Sequence, residues 1–212
     1  MLSFACISPH PPLLLPTVGS PEDRQKVKKT IESLQFLGRK INENKPDTII
    51  ISSPHENWGF NVPLFFLALE FKGKIMPYLT GAEPPAFYFN LGRKVYQSEI
   101  NPPSASGGGG QKTKIAVIAS GDMSHCLKGD GPYGFHPDGP KFDETLIQFL
   151  KDKNIKGILN LDNNFPEAAE CGLRSFSFLL GILKESGLDW TPEILSYECP
   201  FGVGYLVANF KL

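Results

Sequence analysis

Residues 114–125 read KIAVIASGDMSH, a short apolar run that passes directly into a polar turn ending in a histidine. The run Lys114–Ala119 shows no apolar/polar alternation, which is typical of a strand buried on both faces in a parallel sheet covered by helices. The same pattern occurs twice earlier. Ser3–Ile7 leads into Ser8-Pro9-His10, and Thr48–Ser52 leads into Ser53-Pro54-His55. Three predicted strands therefore end at a histidine.

Segments with helical spacing alternate with these strands. The clearest begins at Pro21, with Ser20 as the expected N-cap, and keeps its apolar stripe as far as Ile41. Alternation of strands and helices predicts an α/β fold, a single-domain sandwich with a largely parallel central sheet flanked by helices. We expect the domain to span 1–212, with a flexible glycine-rich loop at 102–112. The other predicted elements are helices at 141–151 and 166–186 and strands at 62–71, 193–197 and 203–210.

Composition narrows the class of partner. The chain has 21 Lys+Arg against 22 Asp+Glu, so no strong field favours nucleic acid or an anionic membrane, and a small molecule is the expected partner. No apolar run reaches the roughly 18–20 residues that cross a bilayer. The four cysteines form no CxxC pair, which fits reduced thiols, and we expect a cytoplasmic protein.

The histidines point to a metal site. Ligands collect outside the carboxyl ends of parallel strands, which is where His10 and His55 are predicted to lie. Two neutral imidazoles and one carboxylate, with neighbouring positions open, form the arrangement by which non-haem Fe(II) binds substrate and O2. Glu198, after the penultimate strand, is the favoured carboxylate, and Glu170, at the start of a late helix, is the other. Cys199 could ligate instead as a thiolate, which would favour Zn²⁺ or copper over Fe(II).

Three further residues are candidates for catalysis. His125 can exchange protons near neutral pH, and Asp122 could orient it or a bound ligand, although a turn residue after Gly121 is the simpler interpretation of Asp122. His136 lies in the Gly- and Pro-rich segment 128–140. That loop could close over the site so that His136 holds substrate, or His136 could simply pack within it.

Five motifs follow one another along the chain: SPHPP at 8–12, SPH at 53–55, SGDMSH at 120–125, ECGLR at 170–174 and YECPFGVGY at 197–205. Together they resemble the catalytic chain of the class III extradiol ring-cleavage dioxygenases, the LigB-like family. The resemblance is strongest to the branch that holds the Memo proteins and AmmeMemoRadiSam system protein B.

The resemblance implies that His10 and His55 bind iron and that His125 is the catalytic histidine near substrate and O2. The implied reaction is cleavage of a catechol-type aromatic ring beside its diol, with incorporation of O2. Glu198 falls roughly where the family places its carboxylate ligand, and in Memo proteins a cysteine takes that place. An alternative is therefore a Memo-like metal-binding or redox accessory protein without ring cleavage. The expected partners are the aromatic substrate and O2, with a homo-oligomer or a family-associated partner subunit as further candidates.

A zinc hydrolase is a third hypothesis, because two histidines and a glutamate can also hold catalytic Zn²⁺ with an open water position. The chain lacks the HExxH spacing typical of helical zinc proteases, which weighs against it.

Overall fold

A single sheet forms the centre of the protein. The computed structural model describes residues 1–102 and 113–212, and within these ranges six strands pair in the order β3-β2-β4-β1-β6-β5. The strands are β1 (Leu2–Ser8), β2 (Thr48–Ser53), β3 (Lys74–Leu79), β4 (Ile115–Ser120), β5 (Thr191–Glu198) and β6 (Tyr205–Lys211).

The strand directions decide where a site can form. β1 pairs in parallel with β4, and β2 pairs in parallel with both β3 and β4. β6 runs antiparallel to its two neighbours β1 and β5, so β5 points the same way as β1. The carboxyl ends of these five co-directional strands therefore lie at one edge of the sheet, which we call the carboxyl edge.

Helices cover both faces of the sheet. Neighbouring residues of one strand enter opposite cores, as Ile50 packs on one face while Ile49 and Ile51 pack on the other. The α/β sandwich with a largely parallel sheet is thus confirmed. The helices are α1 (Pro21–Lys26), α2 (Lys28–Asn44), α3 (Trp58–Leu67), α4 (Pro85–Val95), α5 (Asp138–Lys151), α6 (Ile155–Ile158), α7 (Leu161–Asn164) and α8 (Leu173–Ser186), with a 3₁₀ turn at Pro12–Leu14 and a π turn at Tyr96–Ile100.

The prediction of a strand at 62–71 is wrong, because these residues largely belong to helix α3. An apolar run without alternation has no period that separates a buried strand from a buried helix. Gly59 allows α3 to begin against the end of β2, since a Cβ there would lie 1.9 Å from Ser53 Oγ. Helix α3 therefore starts directly beside the carboxyl edge.

The helix predicted from Pro21 is present but broken at Val27, which has φ −114° and ψ 24°. Ser20 caps α1 as predicted, in a reciprocal capping box with Asp23. The break gives α2 an N-terminus of its own close to the end of β5.

Two further predictions concern the helix at 166–186 and the loop at 102–112. The helix predicted from 166 begins instead at Leu173. The predicted glycine-rich loop at 102–112 lies, from residue 103 onward, outside the described residues. Among the helices that the structure describes, none is long and apolar enough to cross a membrane.

Candidate metal centre

His10 and His55 meet at the carboxyl edge, where the sequence predicted them. Their ring centroids are 5.2 Å apart at an interplanar angle of 71°, with His10 buried and His55 exposed. The thiol of Cys171 joins the two histidines, with its Sγ 3.6 Å from His10 Nε2. One donor atom from each of these three residues lies within 4.8 Å of the others, which is the geometry of a candidate metal centre.

A chain of hydrogen bonds holds the His10 ring in one orientation. Ser120 Oγ at the end of β4 donates to the Gly59 carbonyl and lies 2.9 Å from His10 Nδ1. Because the one hydroxyl proton of Ser120 is used on Gly59, His10 Nδ1 must donate to Ser120. The tautomer is thereby fixed, and the Nε2 lone pair is left free to bind a metal.

Pro63 accounts for the free carbonyl of Gly59. In a helix the carbonyl of residue 59 normally accepts the N–H of residue 63, but proline has no N–H to donate. The carbonyl of Gly59 therefore accepts from Ser120 instead. A proline inside α3 thus contributes, through two hydrogen bonds, to the orientation of His10.

Burial sets the protonation of these groups. Removal from water, followed by the nearby His55, lowers the pKa of His10 to about 3, so the imidazole is neutral at pH 7, as a ligand must be. Burial, followed by the charge of Asp122, raises the pKa of the Cys171 thiol well above its usual value. A bound cation would reverse that shift, because metal coordination deprotonates a thiol.

Asp122, which follows the end of β4, forms hydrogen bonds to two residues of the candidate centre. Its Oδ1 accepts the backbone N–H of His10 at 3.0 Å, and its own N–H donates to Cys171 Sγ at 3.3 Å. Gly121 makes this approach feasible, since a Cβ there would lie 2.2 Å from the Cα of Gly172. Burial raises the pKa of Asp122 to about 6. Asp122 is therefore more than a turn residue, because its contacts hold both His10 and Cys171.

His125 lies beside the metal-binding donors. Donor atoms of Asp122, His125 and Cys171 lie within 4.8 Å of one another. Nε2 of His125 is buried and has no hydrogen-bond partner within the described part of the chain. Burial lowers the pKa of His125, so the neutral form is favoured. A buried imidazole nitrogen without a partner is costly unless a ligand or proton-transfer partner uses it.

Asp143 of α5 holds the loop that contains His125 in place. This buried carboxylate accepts the backbone N–H of Ser124 at 2.8 Å and the hydroxyl of Tyr197. Burial raises the pKa of Asp143 to about 7. Asp143 therefore links the backbone next to His125 to helix α5 and to strand β5.

The structure does not bring Glu198 to the histidines, which corrects the predicted ligand set. Its Oε2 accepts the N–H and the hydroxyl of Thr30, each at 2.7 Å, in the first turn of α2. Glu198 thus stabilises the N-terminus that the break at Val27 creates, where a negative charge also complements the helix dipole. Cys199, next along the chain, is likewise outside the donor groups that converge within the described ranges.

Glu170 is also a helix-capping residue and not part of the converging donors. Its carboxylate accepts the N–H of Leu173 at 2.6 Å, at the start of α8, and pairs with Arg174 at 2.9 Å. The residue that enters the site from this motif is the adjacent Cys171. Within the motif ECGLR, the sequence predicts Glu170 as the candidate ligand, whereas the structure places the thiol of Cys171 beside His10.

His136 lies at the start of α5 and not in the cluster. Its Nδ1 accepts the N–H of Asp138 at 3.2 Å, and its side chain is 44% exposed. This geometry fits the packing alternative for His136. The same loop does reach the site through Tyr133, whose ring centroid lies 5.1 Å from that of His125. Nothing in the sequence distinguished Tyr133 from its neighbours.

These residues fit a single metal ion. Two imidazoles, one with its tautomer fixed, and a thiol converge at the sheet edge, and His125, whose Nε2 is buried, lies next to them. The molecule is thus an α/β sandwich with a candidate metal centre at the carboxyl ends of its strands.

Sequence comparison gives the family. The model described as "Catalytic LigB subunit of aromatic ring-opening dioxygenase" matches residues 4–87 and 110–208, and the chain belongs to this family. The family suggests dioxygenase-type, metal-dependent chemistry.

One curated relative and one solved structure are similar to this chain. Protein CA_C1420 of Clostridium acetobutylicum is 31% identical over 96% of this chain, and the chain spans 56% of the length of that protein. The crystal structure of uncharacterized protein JW3007 from Escherichia coli K12 matches with a TM-score of 0.62 over 98% of this chain and 99% of that one. At 16% identity, that likeness shows the fold alone.

Proposed function

We propose that the protein is an iron-dependent extradiol dioxygenase that cleaves a catechol-type aromatic diol with O2. The observation that supports this best is the pairing of two kinds of group at one edge of the sheet. His10, His55 and Cys171 form a candidate metal-binding set, and His125 belongs to the adjoining group of donors. Its Nε2 is buried and has no hydrogen-bond partner among the described residues. Chelation of a diol requires the metal-binding residues, and removal of a proton from the diol requires a base such as His125.

The bound metal would be held by His10, His55 and Cys171. If Fe(II) is bound by these residues, it would supply open positions for a diol and for O2. The thiol replaces the carboxylate of the usual two-histidine, one-carboxylate set, so Zn²⁺ and copper are the competing ions.

The protein groups would manage the protons. His125, held neutral by burial, can accept the proton of a diol hydroxyl at its unpartnered Nε2 and return it later in the cycle. Asp122 keeps the two halves of the site together through its bonds to His10 and Cys171. The ring of Tyr133 contacts that of His125, with the ring centroids 5.1 Å apart, and would help to hold the imidazole in place.

The test is anaerobic purification, elemental analysis, and loading with Fe(II) before a panel of catechols is added under recorded oxygen. Oxygen uptake together with a yellow ring-fission absorbance is the expected result. His125→Gln is the matched variant, since it should keep the metal and lose the uptake. Iron-loaded wild type that consumes no oxygen with any catechol would contradict the proposal.

A second candidate function is a metal-binding or redox accessory role without ring cleavage. The position of the Cys171 thiol, 3.6 Å from His10 Nε2, favours it, because thiolate is a preferred ligand of Cu(I) and Zn²⁺. Stoichiometric copper or zinc in the purified protein, with no oxygen uptake after iron loading, would support this role over the first.

A further inference from the structure

Two large apolar side chains flank the exposed histidine of the centre. Trp58 and Leu79 are each 53% exposed, although both are residues that a fold normally buries. Together with His55, they line a cavity of about 370 Å³ whose remaining walls are Pro54, Glu56 and Asn57. This volume is within the ~300–1,000 Å³ range typical of small-molecule sites, and exposed apolar surface beside a polar site marks ligand contact.

The backbone fixes both side chains relative to His55. Trp58 is the first residue of α3, and Gly59 behind it packs so closely that a Cβ would lie 3.2 Å from the Cβ of His55. Leu79 is paired with Ser53 at the end of β2, and the next residue along donates its N–H to the Ser53 carbonyl. The apolar pair is therefore part of the rigid carboxyl edge and not of a loose loop.

We propose that Trp58 and Leu79 are the ring-binding surface of the active site. They would take the planar, uncharged ring of an aromatic ligand whose hydroxyl groups reach the metal-binding side of His55. The indole offers a face for offset stacking, and Leu79 offers an aliphatic side wall. Glu56 and Asn57 form the polar rim. This inference rests on the proposed function and specifies the part of the site that selects an aromatic ring.

The test uses binding and not turnover. Zinc-loaded protein is titrated with 4-nitrocatechol, and the shift of the ligand's visible absorbance gives the affinity. Trp58→Ala is expected to weaken binding about two- to tenfold, as loss of an aromatic contact does, whereas Trp58→Phe keeps most of the affinity. Leu188→Ala is the control, because Leu188 is 43% exposed but precedes β5 at the opposite edge of the sheet.

Tryptophan fluorescence gives a second readout. The chain has two tryptophans, and Trp190 is buried against Phe210, so ligand quenching should fall on Trp58. Equal affinity of Trp58→Ala and wild type, or no binding of 4-nitrocatechol by the wild type, would overturn the assignment. If the wild type takes up oxygen normally, but wild type and Trp58→Ala bind 4-nitrocatechol with equal affinity, only the ring-binding surface is refuted. Weakened binding in Trp58→Ala without oxygen uptake in the wild type would support the surface and refute the dioxygenase.

Discussion

Replacement of Ser120 by alanine should damage the centre without touching a metal ligand. The hydroxyl lies fully buried between His10 Nδ1 and the Gly59 carbonyl, so its removal leaves a donor and an acceptor without partners. Each unsatisfied buried group costs ~1–3 kcal/mol, so the two groups together predict a fall of about 2–6 kcal/mol in the free energy of unfolding. The imidazole also loses the acceptor that fixes its tautomer. Metal affinity should therefore fall about 10- to 100-fold, as when an outer hydrogen-bond partner of a ligand is removed.

Two measurements test this prediction. Urea denaturation of the metal-free protein gives the change in stability, and competition with a chromophoric chelator for Zn²⁺ gives the change in affinity. Ser177→Ala is the matched control, because this buried hydroxyl donates at 2.7 Å to the carbonyl of Leu173 within its own helix. The control should bind Zn²⁺ like the wild type. If Ser120→Ala also binds Zn²⁺ like the wild type, the hydrogen-bonded chain does not orient His10 and the reasoning is refuted.

Three further predictions concern α3, the catalytic histidine and the loop anchor. Pro63→Ala supplies an N–H that competes for the Gly59 carbonyl, so chelator competition should show several-fold weaker Zn²⁺ binding while urea denaturation shows unchanged or higher stability. His10→Ala should abolish stoichiometric metal in elemental analysis, whereas His125→Ala should keep the metal and lose oxygen uptake; metal loss in both would show that His125 is misassigned. Burial raises the pKa of Asp143 to about 7, so the folded state binds this proton more tightly than the unfolded state. Its contribution to stability therefore falls as pH rises from about 4 to about 7, and urea denaturation at about pH 5 and about pH 8 should show wild type losing stability relative to Asp143→Asn.

The sequence predicted the histidine pair because strand direction alone places it. His10 and His55 each follow a strand whose apolar run is buried on both faces, and parallel strands end at the same edge. The two histidines also meet because only β4 lies between β1 and β2 in the sheet.

Cys171, the proposed third ligand, could not be predicted from the ends of the strands. Glu198 does end at the same edge, but β5 is the outermost strand on the side of β1 that faces away from β2, and strand order depends on long-range pairing. Cys171 precedes a helix, and it reaches the site only because Gly121 and Gly172 allow the β4 turn and the start of α8 into contact. The strand-end argument therefore predicted Glu198, whose carboxylate binds Thr30 in the structure, and missed Cys171, whose thiol lies beside His10.

Helix α3 shows a different limit. Its apolar run is compatible with a strand and with a helix, and a proline such as Pro63 is unfavourable in the interior of either. The structure resolves this ambiguity, because the carbonyl that proline leaves free is used by Ser120 in support of His10. A local irregularity in the sequence thus marks a functional contact that only the fold reveals.

Every functional proposal above requires that His10, His55 and Cys171 bind one metal ion. X-ray absorption spectroscopy at the zinc edge, on protein loaded with one equivalent of Zn²⁺, tests this requirement most directly. We expect one sulfur at about 2.3 Å and imidazole nitrogens at about 2.0–2.1 Å, with the sulfur lost in Cys171→Ser. A coordination shell of nitrogen and oxygen alone in the wild type would contradict the assignment of Cys171 and, with it, the proposed centre.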